Sequence, residues 1–440
     1  MKIKHVGEGI KWNLRYILLI PALLVLFLLS VFLYRIFSVH SPQIEGVDSL
    51  KMLPATKEVY LMVENNFPVK SVLITFKQAE KEFIILDDKP DVNHKEYKLS
   101  IKPKEAGLSD GDITVTIRAR SGLFKKTEIV VDAKVDTVPP VVSVLSDTYI
   151  TSQGSAASVL ANADGADEVY VEAGGKRYKA TAGVDGQKSH YFVIYPIERY
   201  LPIKEPIQVV AVDSVGNKSQ TTVKTIINPT KYRKDSIKIG DDFMNQKIYP
   251  LLGKTPQDIK QLDAFLEVNE KWRVADDEKV KEIARKSVEK LLWKDRFIQM
   301  KNSKVFATFG DERDYIYEDK VVSHSIHLGY DLASLSNSPV EASNNGIVVF
   351  TGTIGIYGNT VIIDHGLNLM SLYGHLTSIE VKVGQEVTKG QKIALSGQTG
   401  LAVGDHLHFG ILCHGVFVSP VPWWDKSWID KRILKVLEMK

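Results

Sequence analysis

Three short stretches of this 440-residue chain carry side chains whose types and spacing can do hydrolytic chemistry: His327-Leu-Gly-Tyr-Asp331, Tyr373-Gly-His375-Leu376 and Gly404-Asp-His406-Leu-His408-Phe409. Each alone is a weak signal, because a single histidine in a strand is more often a hydrogen-bonded core or surface residue than a ligand. The third is the sharpest. Side chains at i and i+2 of a strand share a face, which puts His406 and His408 on one side with Cα atoms about 6–7 Å apart. One imidazole can then reach a metal at about 2.0–2.1 Å while the other lies beside it, so His-x-His suits a ligand next to an acid/base group. Parity disposes of two neighbours: Cys413 is at odd offset from His408 and faces away, and His414 lies roughly 20 Å further along an extended strand. Cys413 is the single cysteine of the chain, which excludes an internal disulfide framework and multi-cysteine metal sites and leaves His, Asp and Glu as ligands. No His-Glu-x-x-His segment occurs, so a glutamate-base metalloprotease helix is excluded.

Together the stretches resemble the lysostaphin-like, or LytM-type, zinc metallopeptidases that cut peptidoglycan cross-links. The resemblance covers about Phe309 to Pro422. It rests on the His327–Asp331 motif, on Gly358-Asn-Thr-Val-Ile-Ile-Asp-His-Gly366, on Tyr373-Gly-His375-Leu376, and on the Ser396–Phe409 run that ends in His-Leu-His-Phe. By that resemblance His327, Asp331 and His408 bind zinc, and His375 and His406 are catalytic. Two neutral imidazoles and one carboxylate leave Zn²⁺ net positive with an open fourth position, where water is acidified toward a pKa of about 7. Either His375 or His406 can accept a proton from that water while the other serves the oxyanion or the leaving amine; both assignments are open at this level. His324 competes as first ligand, but the spacing to Asp331 selects His327 and leaves His324 as a substrate contact on the cleft wall. Tyr373 and Asn359 are placed along the same groove, with packing or turning as their alternative roles. His365 reads as structural. Gly352-x-x-Gly355-x-x-Gly358 has no helix after it and reads as a hairpin rather than a phosphate loop.

The elements that must position these residues are legible in outline, and the expected architecture is multidomain. Tyr16 to Tyr34 carries no charge and is long enough for a ~30 Å hydrocarbon core, so 16–37 is predicted to be a transmembrane helix after a cytoplasmic tail, 1–15. Lys2, Lys4, Lys11 and Arg15 against Glu8 put the N-terminus inside and the histidine cluster in the periplasm or outside the cell, anchored in the inner membrane. A cleaved signal peptide is the alternative, disfavoured by the length of the apolar run and the lack of an Ala-x-Ala-like site. Alternating β-branched segments such as Glu58–Val63, Ser71–Phe76, Ile113–Ile117 and Ile207–Val212 mark two β modules, 41–136 and 137–229, joined at Asp136-Thr-Val-Pro-Pro140. Ile113–Val131 echoes Ile207–Ile226, and the Pro-Pro entry with Ala211-Val-Asp-Ser-Val-Gly-Asn217 resembles bacterial Ig-like modules, implying two β-sandwiches. A helical segment, 230–300, is predicted with one helix starting at Thr255-Pro256 and a second near Asp276-Asp277 that carries Val280, Ile283, Val288 and Leu292. A mainly antiparallel β peptidase domain, 301–424, and a short amphipathic helix, 425–440, complete the chain.

A formal net charge of +3 from 56 basic and 53 acidic side chains shows no polybasic footprint, which argues against a nucleic-acid partner. The leading reading is therefore a membrane-anchored zinc endopeptidase acting on peptidoglycan peptides, with a regulatory protein partner conceivable at the β modules or the helical segment. A non-catalytic LytM-type regulator is the alternative, and retention of all five metal and catalytic positions speaks against it. A lipoyl- or biotinyl-type domain, suggested by Val383–Gln391, lacks the lysine hairpin it needs.

Overall fold

The computed structural model describes residues 14–122, 124–147 and 149–438. The chain divides into two compact units, Met1–Val138 with Val215–Asn217, and Pro139–Ser214 with Lys218–Lys440.

In the first unit Leu14–Ser38 forms one helix containing Pro21. Among the described residues no helix is long and apolar enough to cross a membrane. Of the predicted span 16–37, side chains are described only from Pro21 to Tyr34, all of them exposed, and most of the predicted tail 1–15 lies outside the described residues. Seven strands then form one sheet around the 22-residue strand Lys57–Gln78. Its first half pairs with Val92–Ile101 and its second with Lys81–Asp88 and Gly111–Ser121. Val59, Leu61 and Val63 point inward from the first half, and Val72, Ile74 and Phe76 from the second. A register shift between Val69 and Ser71 changes the inward parity, so both halves serve one core. Where two separate sheets were expected, the continuous strand joins them.

The second unit begins with a β-sandwich of two four-stranded sheets. Ala157, Val159, Ala161, Tyr191, Val193 and Tyr195 face Val169, Val171, Val209 and Ala211 across its core. The alternate residues Ala156, Leu160, Phe192 and Ile194 pack on the other side against Trp423, Ile429 and Ile433. Burial on both faces explains why Ala156–Ala161, apolar but for Ser158, shows no polar alternation. It also accounts for the amphipathic C-terminal segment, which forms short helical turns from Val421 to Leu437.

The helical region departs from expectation. Thr255–Asp258 is a turn, closed by the Thr255 amide and hydroxyl donating to Asp258, and the helix starts at Gln261. It then runs without interruption to Ile283, so one helix takes the place of the two expected after Thr255, a further helical stretch from Asp241 to Leu252 precedes it, and 284–303 is irregular. Asp276 and Asp277 lie inside this helix because they are used for tertiary contacts: Asp276 accepts from the Ile356 amide at 2.6 Å and Asp277 from the Tyr357 hydroxyl at 2.8 Å. Ahead of the helix, Lys234–Lys238 adds a parallel strand to the hairpin Glu312–Tyr317 and Lys320–Ile326.

The remainder holds a three-stranded sheet of Pro339–Glu341, Lys392–Leu395 and Ser378–Ile379 and an eight-stranded sheet with Tyr330–Ala333, Leu407–Cys413, Leu369–Leu376, Gly358–Asp364 and Gly346–Ile354 adjacent in that order and antiparallel. Beneath it His365 is fully buried; its Nδ1–H donates to the Asn345 carbonyl at 2.7 Å, and its Nε2 meets Ser371 Oγ at 2.7 Å. Burial pushes its pKa down to about 4. The unfolded chain therefore binds a proton below pH ~6.5 that the folded chain refuses until about pH 4, so stability falls as pH drops through that window. Urea titrations at pH 7 and pH 4.5 on wild type and His365→Gln should show the variant losing less with acidification, by up to about 3 kcal/mol. Parallel pH slopes would contradict this.

Candidate active site

Strand pairing assembles the site. Asp331 lies opposite His408, and His408 opposite Gly374, across three neighbouring strands. Directly opposed residues of antiparallel strands project to the same face, so Asp331 and His408 converge, and glycine at 374 leaves room beside them. His327 arrives from the segment after strand Lys320–Ile326. His327 Nε2, Asp331 Oδ1 and His408 Nδ1 form a near-equilateral triangle with edges of 2.9, 3.1 and 3.0 Å. Tetrahedral ligands at about 2.0–2.1 Å from a metal stand about 3.3 Å apart, so these three atoms fit one face of such a polyhedron. They are also the described His, Asp and Glu group able to hold a metal ion.

Protonation suits a cation. His327 Nδ1–H donates to the Thr308 carbonyl at 3.0 Å, which leaves Nε2 with its lone pair. Burial alone would raise Asp331, but the imidazoles of His327, His406 and His408 outweigh it and hold the carboxyl well below the usual range. Burial pushes His408 down to about 4. Its Nε2 is buried with no hydrogen-bond partner among the described residues. That edge rests on Gly329, where an added Cβ would fall 2.6 Å from Nε2, so glycine at the centre of the His327–Asp331 motif is a packing requirement for the ring.

The other two histidines stand over the triangle, their ring centroids 4.8 Å apart. His375 Nδ1–H donates to the Thr399 carbonyl and His406 Nδ1–H to the Gly404 carbonyl, both at 2.8 Å, which leaves Nε2 as the remaining ring nitrogen of each; that of His406 stands 3.5 Å from Asp331 Oδ1. Burial, with the neighbouring His406 and His408, holds His375 well below the ordinary histidine range. Burial also works against charge on His406, yet the hydrogen bond and charge of Asp331 prevail and raise it. All five residues line a cleft of about 650 Å³, walled further by Ile237, Phe265, Tyr315, Tyr357 and Val403.

Three expected substrate contacts are corrected. Tyr373 is buried in the core, its hydroxyl accepting from the Ser343 amide. Strand alternation would put Tyr373 and His375 on one face, but His375 adopts φ 62°, and this left-handed residue carries its ring to the opposite side. Asn359 does not line the cleft; its amide N–H donates to Thr399 Oγ1 and its Oδ1 accepts from Thr353, fixing two loops. His324 points to solvent, paired with Asp314 at 2.7 Å, because it lies on the outer face of its hairpin.

Residues that the motifs did not reveal hold the first candidate ligand, His327. The fully buried Asp311 accepts from the Thr308 amide at 2.9 Å, Thr308 Oγ1 at 2.6 Å and Arg233 Nη2 at 2.8 Å. The turn so closed presents the Thr308 carbonyl to His327 Nδ1 and the Asp311 carbonyl to the His327 amide. The Thr-x-x-Asp spacing was the available signal. Asp311→Ala is expected to weaken zinc affinity about 10–100-fold in a chelator competition, with the fold retained; unchanged affinity would contradict this positioning role.

Residues 325–420 match the family model described as peptidase family M23. The C-terminal domain belongs to peptidase family M23. The M23 domain is 45% identical over 89 residues to peptidoglycan DD-endopeptidase ShyA of Vibrio cholerae, covering 20% of this chain and 21% of that protein. Over 96 residues it is 38% identical to DD-carboxypeptidase/endopeptidase Mpg of Neisseria meningitidis, 22% of each chain. The chain thus spans about a fifth of the length of these curated relatives. Among solved structures, the catalytic domain of the antimicrobial peptidase lysostaphin from Staphylococcus simulans is 28% identical, covering 28% of this chain and 94% of that one with a TM-score of 0.25.

Proposed function

We propose that the chain is a zinc metalloendopeptidase that hydrolyses peptide cross-links of peptidoglycan. The single observation that carries this reading is the triangle of His327 Nε2, Asp331 Oδ1 and His408 Nδ1 beside two further imidazoles that are each anchored through Nδ1. Zinc held by those three atoms would supply Lewis acidity toward a substrate carbonyl and a water. The protein's own contribution is proton traffic and placement. Of His375 and His406, each fixed through Nδ1–H, one accepts a proton at Nε2 from the attacking water and delivers it to the leaving amine, while the other, protonated at Nε2, donates a hydrogen bond to the developing oxyanion. Similarity to a peptidoglycan DD-endopeptidase and to a DD-carboxypeptidase/endopeptidase supports a cell-wall substrate.

The uncharged sequence run Tyr16–Tyr34 is proposed as an inner-membrane anchor with the N-terminus cytoplasmic, and the β modules as a spacer or docking surface that carries the M23 domain toward the wall in the periplasm. The reaction is tested with purified full chain, zinc and a cross-linked muropeptide dimer. Conversion of dimer to monomers, seen by mass spectrometry and abolished by a chelator, supports the reading. Intact dimer with zinc bound contradicts it and favours the regulator.

A further inference from the structure

Three cations line the cleft: Lys238, Arg273 and Arg313. Lys238 pairs with Asp319, and Arg273 donates to Asn269. Arg313 differs. On strand Glu312–Tyr317 it shares the cleft-facing side with Tyr315, while the intervening Asp314 faces out to His324. Its Nη2 stands 3.6 Å from Asp331 Oδ2, too far for a hydrogen bond, and no other partner of its guanidinium is found among the described residues. The remaining acid of the cleft, Asp405, is satisfied by the Ser396 hydroxyl at 2.6 Å and the Asn337 amide at 2.9 Å. A partly buried guanidinium with free N–H groups therefore borders the triad, and the planar group it matches best is a carboxylate.

We propose that Arg313 is a specificity-determining residue that binds a free carboxylate on the leaving side of the scissile amide. This deepens the peptidase reading and rests on it. When the amide nitrogen is borne by the α-carbon of a terminal D-amino-acid centre, as in D-alanyl-D-alanine or a cross-link to the D-centre of a diamino acid, that carbon also carries a free carboxylate. Bond lengths place it within about 5 Å of the reacting carbonyl carbon. A bond in the middle of a main chain has an uncharged amide at that position. Arg313 would thus favour carboxylate-bearing substrates over bridge peptides cut internally.

The test uses zinc-loaded full chain and two probes, N-acetyl-L-lysyl-D-alanyl-D-alanine and its C-terminal amide. Rates are normalised to bound zinc. Wild type is expected to prefer the acid by roughly 100-fold in kcat/KM. Arg313→Gln should bring that ratio close to one, and Arg313→Lys should recover part of it, since charge remains but the fork is lost. An equal loss on both probes, leaving the ratio intact, would make Arg313 a brace for Asp331 and overturn the proposal. Equal wild-type rates on both would overturn it as well. Calorimetric binding of both probes reads the same preference without turnover. If neither probe is cut but the acid binds more tightly in wild type and not in Arg313→Gln, the inference stands, and the cross-linked dimer assay decides the peptidase reading separately; equal binding overturns the inference.

Discussion

Replacing His406 by alanine is expected to slow cleavage of a cross-linked muropeptide dimer by roughly 10²–10⁴-fold while one zinc per chain stays bound. The expectation follows from position. His406 lies 3.5 Å from Asp331 through Nε2, yet it is not among the three atoms of the metal triangle, and its Nδ1–H is committed to the Gly404 carbonyl. Removing it takes away a proton acceptor and leaves the triangle intact. His375→Ala should behave alike, and the double variant should be little worse than either single one, because two residues sharing one proton path are not additive. Loss of zinc from His406→Ala, measured by metal analysis after gel filtration, would show that this histidine is a ligand and that the division between binding and catalytic imidazoles is wrong.

Asp331→Asn is expected to remove zinc binding and with it the stabilisation that zinc confers. Asp331 Oδ1 is the one anionic corner of the triangle, within 3.0 Å of both ring nitrogens. An asparagine keeps the shape but gives up the charge, so two neutral imidazoles and an amide would face the cation. For the wild type, zinc at 1,000-fold over its Kd should raise stability by about 4 kcal/mol, because it binds the folded chain. Thermal melts with and without zinc should therefore separate for wild type and coincide for Asp331→Asn. A variant that melts higher with zinc, to the same extent as wild type, would exclude Asp331 from the site.

Much of the site could be read from spacing alone, and the exceptions have physical causes. His406 and His408 sit two apart at the start of a strand, so parity suffices to bring them together. His375 is different: parity ties it to Tyr373, and only its left-handed backbone, φ 62°, separates an active-site ring from a core one. No local pattern announces that conformation for a histidine. Asp276 and Asp277 carry the residue type of a helix start but lie in mid-helix, because tertiary bonds to Ile356 and Tyr357 outweigh the weak preference of acids for the first turn. Thr308 and Asp311 escaped notice because their Thr-x-x-Asp spacing marks a turn without saying what the carbonyls of that turn hold, here His327. In the first unit the alternation of Val59–Val63 and Val72–Phe76 was plain, whereas the register shift that joins them into one strand was not.

The most direct test of the account is anomalous diffraction from crystals of the full chain grown with zinc, recorded on either side of the zinc edge. The account predicts one strong peak in the cleft, about 2.0–2.1 Å from His327 Nε2, Asp331 Oδ1 and His408 Nδ1, with His375 and His406 outside the coordination shell. A cleft without a peak, or a peak ligated by His375 or His406 in place of any of those three, would contradict it.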